Sequence, residues 1–411
     1  MISYERTALT IWISKGVSVV CKVASLPVLL SILKTDEYAA FIILVSLESW
    51  FLLLDCGLGL SIQNFLSETF CPQEKKSQLK TALVFGGIAL SLGFIFLLSL
   101  HPFLCDFLFS KGGSLVSSSH FLLAGSFLLL GMFGSLGGRI LLGEQKAFLF
   151  YLVQGLVSLV VFGALCFFQN QIKLREAICL FLGFPSIATF FLTAFLFNQV
   201  DWTVPFNFSV LKRAKKFALF AFMAACVLSV DVFILPRALK PDEIVQYHVI
   251  SKLFAPIAFT YSAWLQGFWP TCSSLWALKD GAQISQKIFK YCFLGVIFSF
   301  IFTCSLLCFS KSIEMFLNVS LPLMGILWGG IYLSSRIVAD FYAMALQSKS
   351  DLKPFFYLVP IQALISISMQ WTLAFFWGMT GIFAGLALSY LVTVCWALPR
   401  RLGKVKQNLY V

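Results

Sequence analysis

About twelve runs of twenty or more predominantly apolar residues divide this chain, and that pattern leaves few folds open. Twenty residues of α-helix rise about 30 Å, the thickness of a bilayer's hydrocarbon core. The runs lie near residues 8–33, 38–62, 80–109, 119–142, 148–169, 175–197, 217–236, 244–271, 288–310, 321–346, 354–377 and 381–399. They are continuously apolar rather than alternating, so they predict helices and not barrel strands. Only 12% of the 411 residues are charged and 59% are hydrophobic, whereas soluble domains carry roughly 25% charge. Water could not be the solvent for so much apolar surface. The expected fold is an all-α membrane protein of about twelve transmembrane helices. The first run holds Lys15 and Lys22 and is too long for a signal-peptide core, so it reads as a retained first helix.

The net charge of +12 has an orientation written into it. With the N-terminus in the cytoplasm, cytoplasmic connections hold Arg6, Lys75, Lys76, Lys80, Lys146, Lys212, Arg213, Lys215, Lys216, Lys279, Lys287, Lys290, Lys349, Lys353, Arg400, Arg401, Lys404 and Lys406. The outer side holds Lys34, Lys111, Lys173, Arg175, Arg237, Lys240 and Lys311. This excess on one side is the positive-inside signature, and it returns the basic tail to the cytoplasm after an even number of crossings. Because the cations sit between apolar runs and not on a soluble face, nucleic acid is not the expected partner.

An internal repeat divides the chain. Residues 33–47 read LKTDEYAAFIILVSL and residues 239–253 read LKPDEIVQYHVISKL, with Leu33/Leu239, Lys34/Lys240, Asp36/Asp242, Glu37/Glu243 and Leu47/Leu253 identical. Each segment joins the first and second helix of a six-helix half. An even number of helices per half gives both the same topology, with a pseudo-twofold axis along the membrane normal. The expected division is an N-terminal lobe at 1–200, a basic linker at 201–216, and a C-terminal lobe at 217–411. The linker interleaves Phe206, Phe208 and Leu211 with Lys212, Arg213, Lys215 and Lys216, which suits either an amphipathic segment on an anionic leaflet or an ordinary basic loop.

Nine charges fall inside the predicted helices: Lys15, Lys22, Glu48, Asp55, Arg139, Asp231, Lys252, Arg336 and Asp340. At a helix centre each costs roughly 2.5–3.5 kcal/mol on insertion scales, so most must face protein or a wet cavity. Their spacing makes seams. Lys15 and Lys22 share a stripe with Ser18 and Ser25, Glu48 and Asp55 are seven apart, and Arg336 and Asp340 are four apart. Snorkelling equally accounts for Lys15, Asp55 and Arg139 near helix ends, and Arg336–Asp340 reads equally as a structural ion pair. His248 reads as a packing histidine with proton handling as the alternative. Gly134, Gly137 and Gly138, ahead of Arg139, read as close helix packing.

Other chemistry is poorly represented. No P-loop, CxxC pair or His/carboxylate ligand spacing occurs, and the Cys residues sit mostly in apolar runs as small core residues. No cofactor or metal is called for.

The segment from Leu33 through Glu68 opens a helix with Asp36-Glu37-Tyr38 and closes as LLLDCGLGLSIQNFLSE. With RILLGEQK from Arg139, LKPDEIVQYHVISKL and PTCSSLWALKDG, it resembles the polysaccharide transporters of the multidrug/oligosaccharidyl-lipid/polysaccharide exporter superfamily, O-antigen flippases in particular. That resemblance implies two six-helix lobes around a central cavity opening alternately to each side of the inner membrane, with both termini cytoplasmic. It implies a cargo of undecaprenyl-pyrophosphate-linked oligosaccharide and, as partners, membrane lipids and the polysaccharide polymerase machinery. Lys15, Lys22, Lys252, Arg336 and Arg139 are then the candidates to meet phosphate. Glu48, Asp55, Asp231 and Asp340 are the candidates to couple movement to protons or sodium.

Two rivals differ in what they require. A cation-coupled multidrug exporter would share the fold but favour an acidic, aromatic cavity; here the nine helix charges are five basic and four acidic. A membrane enzyme of polysaccharide assembly would need a long outer loop, and the expected outer loops are short. Reporter fusions test the topology: Ser114 should report outward, Gly281 and the C-terminus inward. An outward signal at either of the latter two overturns the helix count.

Overall fold

The computed structural model describes residues 4–68, 71–109, 116–144, 146–278, 280–349 and 353–407. Lys111, Ser114 and Lys279, used above, lie outside them. Among the described residues all regular structure is helical. In chain order the spans are Tyr4–Ile32, Thr35–Asp55, Pro72–Phe109, Ser118–Gly143, Ala147–Phe167, Leu174–Phe197, Ser209–Ala238, Pro241–Leu253 continued by Ala255–Ala277, Gly281–Leu317, Leu323–Ser348, Phe355–Trp377 and Met379–Gln407. Ten of them are long and apolar enough to cross a membrane. The other two, the eighth and tenth, correspond to the expected runs at 244–271 and 321–346, the eighth extending beyond its run at both ends. Lys252 lies in the eighth and Arg336 with Asp340 in the tenth, and such charges dilute the hydropathy that defines a span.

The chain folds as two compact units, Met1–Ala225 and Cys226–Val411. The seventh span is shared between them and is interrupted at Ser229–Val230.

In the first unit the second span does not run unbroken to residue 62. It ends in a tight 3-10 turn, Leu52–Asp55, and a separate helix, Leu58–Glu68, follows. Cys56 (φ 51°) and Gly57 (φ 75°) both adopt the left-handed conformation between them. Apolar run length cannot reveal such a break, because the residues on both sides are apolar. The turn needs glycine at position 57 for a second reason: a side chain there would meet the backbone of Ala214 and Ala218. Leu58, Ile62 and Leu66, four apart, then bury one face of the short helix among Leu83, Phe133, Leu136, Ile140 and Val210.

The glycine stripe of the fourth span works as expected from sequence. Gly131, Gly134 and Gly137 face Ser186, Thr189 and Thr193 of the sixth span, and Thr193 Oγ1 donates to Gly134 O at 3.1 Å. The register rises on both helices together, so the two run parallel, as two even-numbered crossings must. The first and fifth spans are likewise parallel: Ser14 packs on Gly155, and Ser18 Oγ lies 2.9 Å from Ser158 Oγ.

The residues joining the sixth and seventh spans are bound down to the first unit. Lys80, 8% exposed, donates to Trp202 O (2.9 Å) and Val204 O (2.8 Å) and stands 4.5 Å from the Phe206 ring. Ser77 Oγ donates to Pro205 O, Asn207 N to Thr81 Oγ1, and Ser61 Oγ to Val210 O. Lys76 pairs with Asp201, whose carboxyl is held below the ordinary carboxylate range chiefly by the Thr203 hydroxyl. Trp202, Phe206 and Phe208 remain exposed. The linker thus combines a fastened backbone with an aromatic outer face.

The two halves of the sequence repeat are built alike. Thr35–Ser46 and Pro241–Leu253 both begin with an Asp-Glu pair in the first turn, where carboxylates oppose the helix dipole. In the second copy Glu243 also accepts from Lys240 N at 3.1 Å. Both helices are then interrupted within one residue of the same place in the repeat, where the carbonyls of Leu47 and Phe254 each accept an i→i+3 bond, from Trp50 N (2.9 Å) and Ile257 N (3.1 Å), beside the ordinary i→i+4 bond.

Replacing Gly134 with Leu should push Thr189 and its helix away and cost about 1–3 kcal/mol. A lowered melting temperature of the detergent-purified protein is the expected result, and an unchanged one would show the contact to be loose.

Candidate functional site

In the first unit the candidate cations remain accessible. Lys22 and Glu48 are both exposed, and no ion pair joins them among the described residues. Lys15 is half-buried, with its Nζ 4.6 Å from the centre of the Tyr151 ring. Its stripe-mate Ser18 reaches Ser158, so the polar seam predicted on the first span lies along the fifth span at those two residues.

Asp55 and Arg139 lie at the break after the second span. Asp55 Oδ1 accepts from Gly57 N at 2.7 Å and Oδ2 from Gly59 N at 3.1 Å, which caps the helix Leu58–Glu68. Arg139, exposed, passes its stem over Gly59 and donates to Gln63 Oε1 at 3.0 Å. Both Asp55 oxygens are engaged by backbone, so its first function is to stop one helix and start another. The glycine pair in the motif DCGLG is the sequence signal for that cap.

The second unit contains an internal polar network. Tyr261 donates to Asp340 Oδ2 at 3.1 Å; Arg336 Nε lies 3.5 Å from the same oxygen, and Arg336 Nη1 donates to Tyr332 Oη at 3.1 Å. The Tyr332 ring meets Tyr390 edge-on at 5.7 Å. The Nε contact is close enough for an ion pair but is not a hydrogen bond, because that nitrogen has no acceptor in line. Nearby, Asp231 accepts from Tyr247 Oη (2.5 Å) and Val232 N (3.1 Å), and the Tyr247 ring packs at a tilt on Phe383, with centroids 4.7 Å apart. The arrangement suits helices in hydrocarbon: each carboxylate receives a tyrosine hydroxyl, which satisfies it without adding charge. Lys252 is half-buried, one turn beyond His248 and electrostatically coupled to it.

The predicted Arg336–Asp340 pair is present, whereas Asp231 belongs with Tyr247 on the next span. The sequence reading missed the four tyrosines. Tyr332 carried a signal, since it continues the Arg336, Asp340 stripe one turn back. Tyr247, Tyr261 and Tyr390 come from other spans, and nothing local marks them.

Apolar helices long enough to cross a bilayer, with charged groups carried inside the spans of both units, define a multi-pass membrane protein. No family model matches the chain. Its backbone follows a multidrug resistance MATE family transporter of the MOP superfamily, with TM-score 0.72 and 12% identity over 98% of this chain and 99% of that one. It also follows the lipid II flippase MurJ, with TM-score 0.74 and 12% identity over 98% and 91%. At that identity the likeness establishes the fold. In sequence the chain is 31% identical over 417 residues to a Yersinia pseudotuberculosis protein named for O-antigen export, covering 95% of this chain and 94% of the relative. It is 28% identical over 414 residues to a Salmonella typhimurium protein named for O-antigen transport, covering 94% of each. The chain belongs to the O-antigen transporter family.

Asp340→Leu should strand the Arg336 charge and lower the melting temperature, by an amount worth about 1–3 kcal/mol given the pair's partial exposure. Adding Arg336→Met should recover part of that loss. A double variant no more stable than Asp340→Leu alone would mean that the two side chains do not act as a pair.

Proposed function

We propose that this chain flips an undecaprenyl-pyrophosphate-linked oligosaccharide, an O-antigen-type repeat unit, from the cytoplasmic to the periplasmic leaflet of the inner membrane by ion-coupled alternating access. The names of the full-length relatives favour this cargo. The observation that carries the reading is Lys22, an exposed ammonium in the middle of the first span with no carboxylate paired to it among the described residues. Left in lipid it would cost roughly 2.5–3.5 kcal/mol. Facing water and an anionic cargo it costs little and contributes charge-assisted hydrogen bonds. Lys15 and Arg139 add accessible positive charge in the same unit, and Lys252 supplies it in the second, where Arg336 is already held by Asp340 and Tyr332.

Under this reading the four candidate acids divide. Asp55 is engaged as a helix cap and Asp340 as the partner of Arg336. Glu48, exposed in the second half of the second span just after its interruption at Leu47, and Asp231, held by Tyr247, are left as the ion-coupling carboxylates. The basic connections favour both termini in the cytoplasm, so the flipped product faces the polymerase machinery across the membrane.

Lys22→Ala and Lys252→Ala should each reduce surface O-antigen display at unchanged protein level, and Lys22→Arg should be milder because the charge persists. Normal display in both Ala variants would remove these residues from the cargo site. Glu48→Gln keeps shape but cannot titrate. It should abolish cargo-dependent proton flux into vesicles, and flux that survives would leave Glu48 without a coupling role.

A further inference from the structure

Lys15 rests on an aromatic ring. Its ammonium lies 4.6 Å from the centre of the Tyr151 ring, and no carboxylate pairs with it among the described residues. The placement follows from helix register. Gly155 has no side chain, so the first span packs against the fifth at Ser14, and the hydroxyls of Ser18 and Ser158 meet at 2.9 Å a turn further on. Tyr151 lies one turn before Gly155 on the same face. Phe150 braces the tyrosine ring edge-on at 5.7 Å. Both Lys15 and Tyr151 are half-buried and so within reach of a ligand. Both also lie in the N-terminal half of their spans, the end that the proposed orientation turns toward the cytoplasmic headgroups.

A ring face holds an ammonium through its quadrupole, whereas a phosphate oxygen holds it through a full charge and a hydrogen bond. The phosphate is therefore the stronger partner, and the ring is a resting place that a phosphate can empty. The negative face so exposed attracts the partly positive C–H bonds on one side of a sugar ring. We propose that Tyr151 is a sugar-binding platform covered by Lys15 at rest: the cargo's pyrophosphate draws the ammonium away, and the first sugar of the same cargo stacks on the vacated ring. The exchange makes and breaks no covalent bond. It requires phosphate and sugar on one molecule, so it selects a glycosylated lipid carrier over the bare carrier. This rests on the phosphate role of Lys15 proposed above.

The test uses the full-length protein in lipid nanodiscs with two probes, undecaprenyl pyrophosphate and the same lipid bearing one sugar. Tyr151→Leu should weaken binding of the sugar-bearing probe by about three- to tenfold, the range of a single aromatic contact. It should leave the sugar-free probe bound as in wild type or more tightly, because Lys15 has lost its competing partner. Tyr151→Phe keeps the ring and should match wild type with both probes. Lys15→Gln should weaken both. Wild-type binding of the sugar-bearing probe by Tyr151→Leu overturns the platform and leaves Lys15 untouched. An equal loss of both probes in Tyr151→Leu makes the ring a structural support and likewise overturns the platform. Wild-type binding of the sugar-free probe by Lys15→Gln overturns the phosphate role on which the platform stands.

Discussion

Hydrocarbon offers no hydrogen-bond partner, and the rest of this structure depends on that. Every backbone N–H and C=O within a span must be satisfied by the chain itself, which leaves helices as the available form for continuously apolar runs. The hydroxyls inside the spans obey the same rule by bonding back to their own helix, as Ser25 does to Cys21 O, Thr189 to Pro185 O and Thr303 to Ser299 O. Where the backbone departs from a helix, a side chain completes it. Asp55 caps the helix that follows the break at Cys56–Gly57, and Lys80 and Ser77 satisfy carbonyls of the linker.

The same solvent sorts the charges, and it does so differently in the two units. In the second unit three of the helix charges are engaged internally: Arg336 opposes Asp340, and tyrosine hydroxyls serve both Asp231 and Asp340. The first unit keeps Lys22 and Glu48 exposed and covers Lys15 only with a ring. The second unit thus joins Arg336, Asp340 and Asp231 to tyrosines, while the first leaves Lys22, Glu48 and Arg139 exposed.

Breaks in the helices are as regular as the helices. The repeated LK-x-DE segments both start a span with paired acids, and both spans are interrupted about three turns later, at Leu47 and Phe254. Charged residues flank each break, Glu48 after the first and Lys252 before the second. Local tightening of a helix frees carbonyls and weakens the ladder, so such a place bends more readily than its surroundings.

Much of this was legible without coordinates. The helical class, the position of nearly every span and the close packing at Gly134 and Gly137 follow from residue type and spacing, because hydrocarbon thickness and helical pitch fix what such runs can do. The Arg336–Asp340 pair was legible because four residues make one turn. The break at Cys56–Gly57 was not, since apolar runs continue through it and only backbone dihedrals distinguish a turn from a helix. Nor were the tyrosines that engage Asp231 and Asp340, or the ring beneath Lys15. Those partners are distant in sequence and meet only when separate helices pack in a particular register. The sequence by itself determined which segments span and which charges they carry, because the solvent enforces both locally. Which charges stay accessible and which are paired was decided by tertiary structure, because pairing depends on distances between helices that no local pattern encodes.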